Sequence, residues 1–307
     1  MQNCLSIVIP AYNEEKGIES VLLALQKTLE DSRLIYEIIV VDDGSTDETA
    51  SVISEFSNVN LIKHRINRGY GAALKTGIEH AVHDIICITD ADGTYPNQRI
   101  PDLFTHFADN KLDMVVGGRR LRDSSLIRRP AKWFIKKLAE YLSGAKISDL
   151  NSGLRIFKKD IAKSFFSILP DGFSFTTTIT LSMLNSGFSV DYCSIDYFKR
   201  VGKSKIHPIK DTKNFVVLIL KLSLFFQPLK VFFPFSLLLF LLSVGWGLFT
   251  YLWLDKLADV STMVLFIGSL QIGAIGLLAE LINRRLPSVF HNQSYDDVKP
   301  LSMEQKK

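Results

Sequence analysis

From Val231 to Leu254 the chain contains no charged residue, and Val260 to Ala279 is a second uncharged run, closed by Glu280. Each run is long enough, at about 1.5 Å per helical residue, to cross a hydrocarbon core of roughly 30 Å. The alternative, two core helices of a soluble bundle, needs a large surrounding domain, for which little sequence remains after Phe290. These runs account for a mean hydropathy of +0.16 in a chain whose charged fraction, 22%, is ordinary. Trp246, Tyr251 and Trp253 add the interfacial aromatics that spanning helices carry. The connection Asp255-Lys256-Leu257-Ala258-Asp259 is too short to hold a domain, so a helical hairpin with both ends on one side is expected.

Basic residues orient that hairpin. Lys199, Arg200, Lys203, Lys205, Lys210, Lys213, Lys221 and Lys230 precede it and Arg284 and Arg285 follow it, whereas the connection has Lys256 against two aspartates. The positive-inside rule then places both termini in the cytosol of a multi-pass plasma- or inner-membrane protein. Met1 to Leu5 leads into the apolar Ser6 to Ile9 without a charged leader or cleavage site, so no signal peptide is expected. Cys4, Cys87 and Cys193 form no CxxC pair and read as reduced core thiols. A net charge of +4 gives no reason to expect nucleic acid as a partner.

The remaining length suits one catalytic domain. Residues 1 to about 120 alternate short β-branched runs with helical stretches, the pattern of an α/β fold with a mostly parallel sheet covered by helices. Strands are predicted at Ser6 to Ile9, Glu37 to Val41, Val59 to His64, Ile85 to Thr89 and Met114 to Gly117. Helices are predicted at Ile18 to Leu29, whose apolar positions recur near every 3.6 residues, at Thr46 to Phe56 and at Gly69 to Val82. Ligands of such sheets bind beyond the carboxyl ends of the strands. The residues there are Pro10-Ala-Tyr-Asn-Glu-Glu15, Asp42-Asp43-Gly-Ser-Thr-Asp47, Asn67-Arg-Gly-Tyr-Gly71 and Asp90-Ala91-Asp92. Any one of these could be a capped turn; four at one sheet edge mark a site. Carboxylates two residues apart after a strand suit a hard divalent cation that also touches diphosphate oxygens.

In combination these blocks resemble glycosyltransferase family 2, of the Rossmann-like GT-A fold. The carrying residues are Ile7 to Glu14, Val40 to Asp47, Asn67 to Gly77 and Thr89 to Asp92. Within that family the chain is most similar to the polyprenyl-phosphate glycosyltransferases. Asp149-Leu-Asn-Ser-Gly-Leu-Arg155, Arg200-Val-Gly-Lys-Ser-Lys205 and the two-helix tail extend the likeness. The resemblance implies a nucleotide-sugar pocket made by Pro10, Ala11, Tyr12, Glu14, Val40, Asp42 and Ala91, with Asp42 at the base. It implies Mg²⁺ or Mn²⁺ held by Asp90 and Asp92, and a mobile basic loop with Lys199, Arg200, Ser204 and Lys205 over the donor. Related synthases add a glutamine two positions after the second aspartate; here Gly93 and Thr94 follow, with Gln98 further on.

The resemblance further implies inversion at the anomeric carbon. A phosphate acceptor is already anionic and needs no strong base, whereas a sugar hydroxyl does. Asp149 is the candidate base, with acceptor positioning or a turn cap as the other reading. Arg119, Arg128, Arg129 and Lys132 are the candidates for gripping a lipid phosphate, since guanidinium suits phosphate oxygens; a solvated basic face is the plainer reading. Ala131 to Leu142 and Asp211 to Pro228 carry apolar residues at helical spacing and read as amphipathic helices at the membrane surface. The expected division is a catalytic domain at 1–205, a juxtamembrane segment at 206–230, spans at 231–254 and 260–282 within a hairpin at 231–283, and a tail at 284–307. The small residues Gly245, Gly247, Gly268, Gly273 and Gly276 allow close helix packing, including in a homo-oligomer. Alternatives are a family member acting on a glycan or lipid-linked saccharide, and an inactive nucleotide-sugar-binding scaffold. The Arg-Trp pair of processive polysaccharide synthases occurs nowhere.

Overall fold

A computed structural model of the chain describes residues 3–119, 137–141, 143–198, 208–254 and 260–285. The first half builds β1 (Cys4–Ala11), α1 (Ile18–Glu30), β2 (Ile35–Asp42), α2 (Thr49–Ser54), β3 (Val59–Lys63), α3 (Tyr70–His80), β4 (Ile85–Ile88), α4 (Ile100–Asp109) and β5 (Met114–Arg119). Then come β6 (Arg155–Lys158), α5 (Lys159–Ser164), α6 (Phe175–Asn185), β7 (Val190–Ile195), α7 (Pro208–Phe226), α8 (Pro228–Leu254) and α9 (Val260–Arg285).

The sheet order is β3-β2-β1-β4-β6-β5-β7. Pairs β1–β2, β2–β3, β1–β4 and β5–β7 are parallel, and β6 alone runs against both of its neighbours. Strand alternation divides the core in two, because successive side chains leave a strand on opposite faces. Ile7, Ile9, Ile38 and Val40 join the cluster under α1 and α4, while Val8, Ile39 and Val41 join the one under α3 and α6. α1 buries Ile18, Val21, Leu22, Leu25 and Leu29, the stripe that the sequence spacing predicts. α3 comes closer to the sheet than any side chain would allow at Gly77, where an added Cβ would lie 2.3 Å from Val8 Cγ1. The predicted elements are present with ends shifted by a few residues. α2 starts late, at Thr49: its N-cap Glu48 makes no side-chain cap, and Asp47 Oδ1 accepts the Thr49 N–H at 3.1 Å, which holds residues 47–49 in a turn ahead of the helix.

Apart from the 131–142 helix, the sequence gives no expected element between β5 and the juxtamembrane segment. The reason is clearest in α6, whose Thr176-Thr-Thr-Ile-Thr180 favours strand by propensity. Burial overrides propensity there: the helix is almost wholly enclosed, and its threonine hydroxyls find partners, Thr178 on Ser174 O at 2.9 Å and Thr180 on Thr176 O at 2.8 Å.

α7 seats Ile219 and Leu222 against Ala139, Ile147, Leu150 and Leu181, so the amphipathic segment is packed onto the α/β body on one side. α8 and α9 form the hairpin; Ser236 Oγ donates to Ser269 O at 2.8 Å and Ser243 Oγ to Thr262 O at 2.9 Å. Both are long and apolar enough to cross a membrane. Phe235, Leu241, Leu252 and Trp253 are more than half exposed, which a core helix of a soluble protein would not tolerate. Asn283 Nδ2 donates to Phe226 O at 2.9 Å and ties the end of α9 to the end of α7.

Candidate active site

The carboxyl ends of β1, β2 and β4 open into a cavity of about 230 Å³. Its walls are Pro10 and Ala11 at the end of β1 with Tyr12 and Glu14 beyond it, Asp43 after β2, and Asp90, Ala91 and Asp92 after β4; Asn67, Gly69, Tyr70, Ala73 and Phe173 complete it. The loop after β1 is laced to the turn after β2. Asn13, in the left-handed region at φ 53°, accepts the Thr46 N–H at 2.8 Å on Oδ1 and donates its own N–H to Ser45 Oγ at 3.0 Å. Glu14 N–H donates to Thr49 Oγ1 at 2.9 Å.

The two aspartates after β2 take different tasks. Asp42 is buried and its Oδ1 accepts the Ser45 N–H at 3.0 Å, closing the turn. Asp43 reaches the cavity, accepting the Arg68 and Gly69 N–H groups at 2.9 and 2.7 Å and facing His64 Nδ1 at 2.7 Å. His64 Nε2 in turn faces Thr76 Oγ1 at 3.0 Å. This network pins the Arg68–Gly69 turn ahead of α3.

Asp90 and Asp92 line the same cavity. Tyr70 donates its hydroxyl to Asp90 Oδ1 at 2.9 Å, and Asp92 Oδ1 accepts from the Thr94 N–H at 3.1 Å and hydroxyl at 2.7 Å. Burial, then the Asp90 charge, holds the Tyr70 phenol well above its ordinary range, so it stays a donor. Among the described residues no group of three or more His, Cys, Asp or Glu could hold a metal. The two carboxylates still fit a hard cation whose other ligands are phosphate and water. The space beside Asp90 is kept by Gly153, where a Cβ would lie 2.7 Å from both carboxylate oxygens.

Beyond Gly153, Arg119 and Asp149 form a forked pair: Nε to Oδ2 at 2.6 Å and Nη2 to Oδ1 at 2.9 Å. Asp149 Oδ1 also accepts the Asn151 N–H at 3.0 Å. Burial opposes both charges, but the mutual hydrogen bonds and attraction outweigh it, lowering Asp149 below and raising Arg119 above their usual ranges. The Arg119 guanidinium lies 5.2 Å from the Tyr197 ring, which packs edge-on against Tyr95; the Tyr95 hydroxyl accepts the Gly153 N–H at 2.6 Å. Beneath the loop, fully buried Arg155 donates to Ser152 O, to Thr176 O at 2.9 Å and to Thr180 Oγ1 at 2.8 Å.

The Glycosyl transferase family 2 model matches residues 6–166, and the GtrB C-terminal hairpin model matches 227–284. The chain belongs to glycosyl transferase family 2. This family 2 chain is 32% identical over 184 residues to the undecaprenyl-phosphate 4-deoxy-4-formamido-L-arabinose transferase of Shewanella sediminis (strain HAW-EB3), covering 55% of each protein. It is 34% identical over 192 residues to the transferase of the same name from Pseudomonas fluorescens (strain Pf0-1), covering 57% of this chain and 56% of that one. The chain thus spans about half the length of the curated relatives it matches. Its fold is similar to that of glucosyl-3-phosphoglycerate synthase from Mycobacterium tuberculosis, solved with Mn²⁺, UDP and phosphoglyceric acid: TM-score 0.57, 18% identity, 72% of this chain and 78% of that one. The hairpin of the family 2 chain makes it a membrane-anchored protein.

Of the residues expected at the donor, Pro10, Ala11, Tyr12, Glu14, Asp90, Ala91 and Asp92 line this one cavity. Val40 and Asp42 are not in its lining. Val40 is fully buried in the apolar cluster under α1, because strand alternation turns it toward the helix layer, and Asp42 serves the turn. Asp43, Asn67, Tyr70 and Phe173 also line the cavity and Gly153 abuts Asp90; none of them is among the individually expected residues, although Asp43, Asn67 and Tyr70 lie inside the quoted motifs. Arg128, Arg129, Lys132, Lys199, Arg200, Ser204 and Lys205 lie outside the described residues, as does most of the predicted 131–142 helix.

Proposed function

We propose that the chain transfers a sugar, with inversion, from a nucleotide-sugar to a polyprenyl phosphate at the cytosolic face of a membrane. The observation that carries this reading is the convergence of Asp90 and Asp92 on one cavity at the strand ends of a chain with a membrane hairpin. The names of the undecaprenyl-phosphate transferases to which it is similar support the acceptor, and the Mn²⁺ and UDP in a like-folded synthase support the donor side. UDP-sugars are preferred over GDP-sugars.

Pro10, Ala11, Tyr12, Glu14, Asp43 and Asn67 form the nucleotide side of the cavity, and Asp90 and Asp92 would hold Mg²⁺ or Mn²⁺. Such an ion, when bound, neutralises charge developing on the departing diphosphate. Asp149 has both carboxylate oxygens occupied and a lowered pKa, so it is a poor proton acceptor and acts by holding Arg119 beside the loop that ends at Gly153. That matches an acceptor which arrives already ionised. Asp149 also balances the Arg119 charge, which leaves recruitment of the lipid phosphate to Arg128, Arg129 and Lys132. Lys199, Arg200, Ser204 and Lys205 supply cationic and hydroxyl donors for the donor diphosphate. Division into a catalytic part at 1–205, a juxtamembrane part at 206–230, a hairpin at 231–283 and a tail at 284–307 follows, with both termini cytosolic.

The test incubates the purified chain and Mn²⁺ with a panel of radiolabelled nucleotide-sugars and short polyprenyl phosphates, scoring label in the organic phase. Label in the lipid that is lost in Asp90→Ala supports the reading. Transfer to a glycan with none to prenyl phosphate would replace the acceptor. Donor binding without turnover under all conditions would make the chain a scaffold.

A further inference from the structure

Phe173 is a large aromatic with 72% of its surface exposed, yet it sits on the lip of the active-site cavity. Its ring stacks on Tyr70, with centroids 5.7 Å apart and planes 21° apart, and the Tyr70 hydroxyl donates to Asp90. Tyr70 is the first residue of α3, and the chain on either side of it is clamped. On one side Asp43 takes the Arg68 and Gly69 N–H groups. On the other, Asp171 O accepts the Gly71 and Ala72 N–H groups at 2.7 and 3.1 Å, and Asp171 Oδ1 pairs with Lys75 Nζ at 2.8 Å. Contact is so close that a Cβ on Gly71 would lie 2.1 Å from Pro170 O, and one on Gly69, at φ +105°, 2.4 Å from Asp171 O. Two backbone clamps and one ring stack therefore converge on a single phenol.

We propose that Tyr70 is a positioning residue that presets the Asp90 carboxylate for cation binding, with the Pro170–Phe173 segment as the brace that holds the Tyr70 ring. This rests on the reading of Asp90 as a metal-holding group. A carboxylate is free to turn about its Cβ–Cγ bond, so a donor fixed on one oxygen selects one orientation and directs the other oxygen; partners of this kind in an outer shell typically change metal affinity about 10–100-fold.

The experiment titrates Mn²⁺ into the full-length protein in detergent, with UDP and separately with GDP, reading free Mn²⁺ by electron paramagnetic resonance. Tyr70→Phe keeps the ring and its stack but removes the hydroxyl. Expected is a fall of about tenfold in Mn²⁺ affinity with an unchanged melting temperature, a smaller fall in Phe173→Leu, and retention of wild-type affinity in Phe173→Tyr. If Asp90→Asn loses Mn²⁺ while Tyr70→Phe stays within about threefold of wild type, the positioning role is overturned and the proposed function stands. If the wild type and Asp90→Asn bind Mn²⁺ equally, or neither binds it, the metal reading fails and this inference with it.

Discussion

Gly153→Ala tests the site by adding one methyl group. The new Cβ would lie 2.7 Å from both Asp90 oxygens and 2.9 Å from their carbon, where ordinary contact begins at 3.4 Å, so a gap of about 0.7 Å must be opened. Rotation of the carboxylate cannot open it, since both oxygens are equally close. The loop cannot readily retreat either: Gly153 N–H is bound to Tyr95, Ser152 Oγ to Gly117 O, and Ser152 O to Arg155. Gly153 is not among the positive-φ glycines, so alanine adds bulk without backbone strain. Asp90 must therefore swing away and lose Tyr70. A displacement approaching 1 Å at a reacting centre costs about 100-fold in rate, and overpacking of this size costs about 1–3 kcal/mol in stability. The assay is organic-phase transfer alongside thermal melting in detergent, with Gly268→Ala as control, because a Cβ there meets nothing within 4 Å. Wild-type transfer by Gly153→Ala would refute the placement of Asp90 as the working carboxylate.

Three further outcomes follow from the same geometry. Asp149→Asn is expected to lower stability by about 2 kcal/mol at neutral pH through loss of one partner of a mostly buried pair. Because the folded pKa of Asp149 is lowered, its contribution is present above the ordinary carboxylate range and is lost as pH falls toward that depressed value, so melting curves of parent and variant converge in acid. Asp43→Asn turns an amide N–H₂ toward Gly69 N–H or the Arg68–His64 side; expected are a loss of about 1–3 kcal/mol and a donor KM raised more than kcat is lowered, measured by steady-state transfer. Gly71→Ala drives a Cβ into the Pro170 carbonyl, and a loss of about 3 kcal/mol is expected, with proteolysis in the 170–173 segment reporting the undocking.

Several features of this molecule are written locally in its chain. Uncharged length defines α8 and α9, a 3.6-residue stripe defines α1, and alternating β-branched runs followed by Asp, Asn and Gly define the strand ends where the cavity opens. Each of these depends on spacing within a few residues. Other features depend on side chains far apart in sequence and became visible only when the sheet closed. Strand alternation separates Val40 from the cavity, and the antiparallel insertion of β6 between β4 and β5 carries Gly153 to Asp90. The brace on Tyr70 comes from Phe173, and the threonines of α6 become helical because they are buried around Arg155. Periodicity records which face of an element turns inward; which groups from other elements meet it there is a matter of packing, and packing has no local signature.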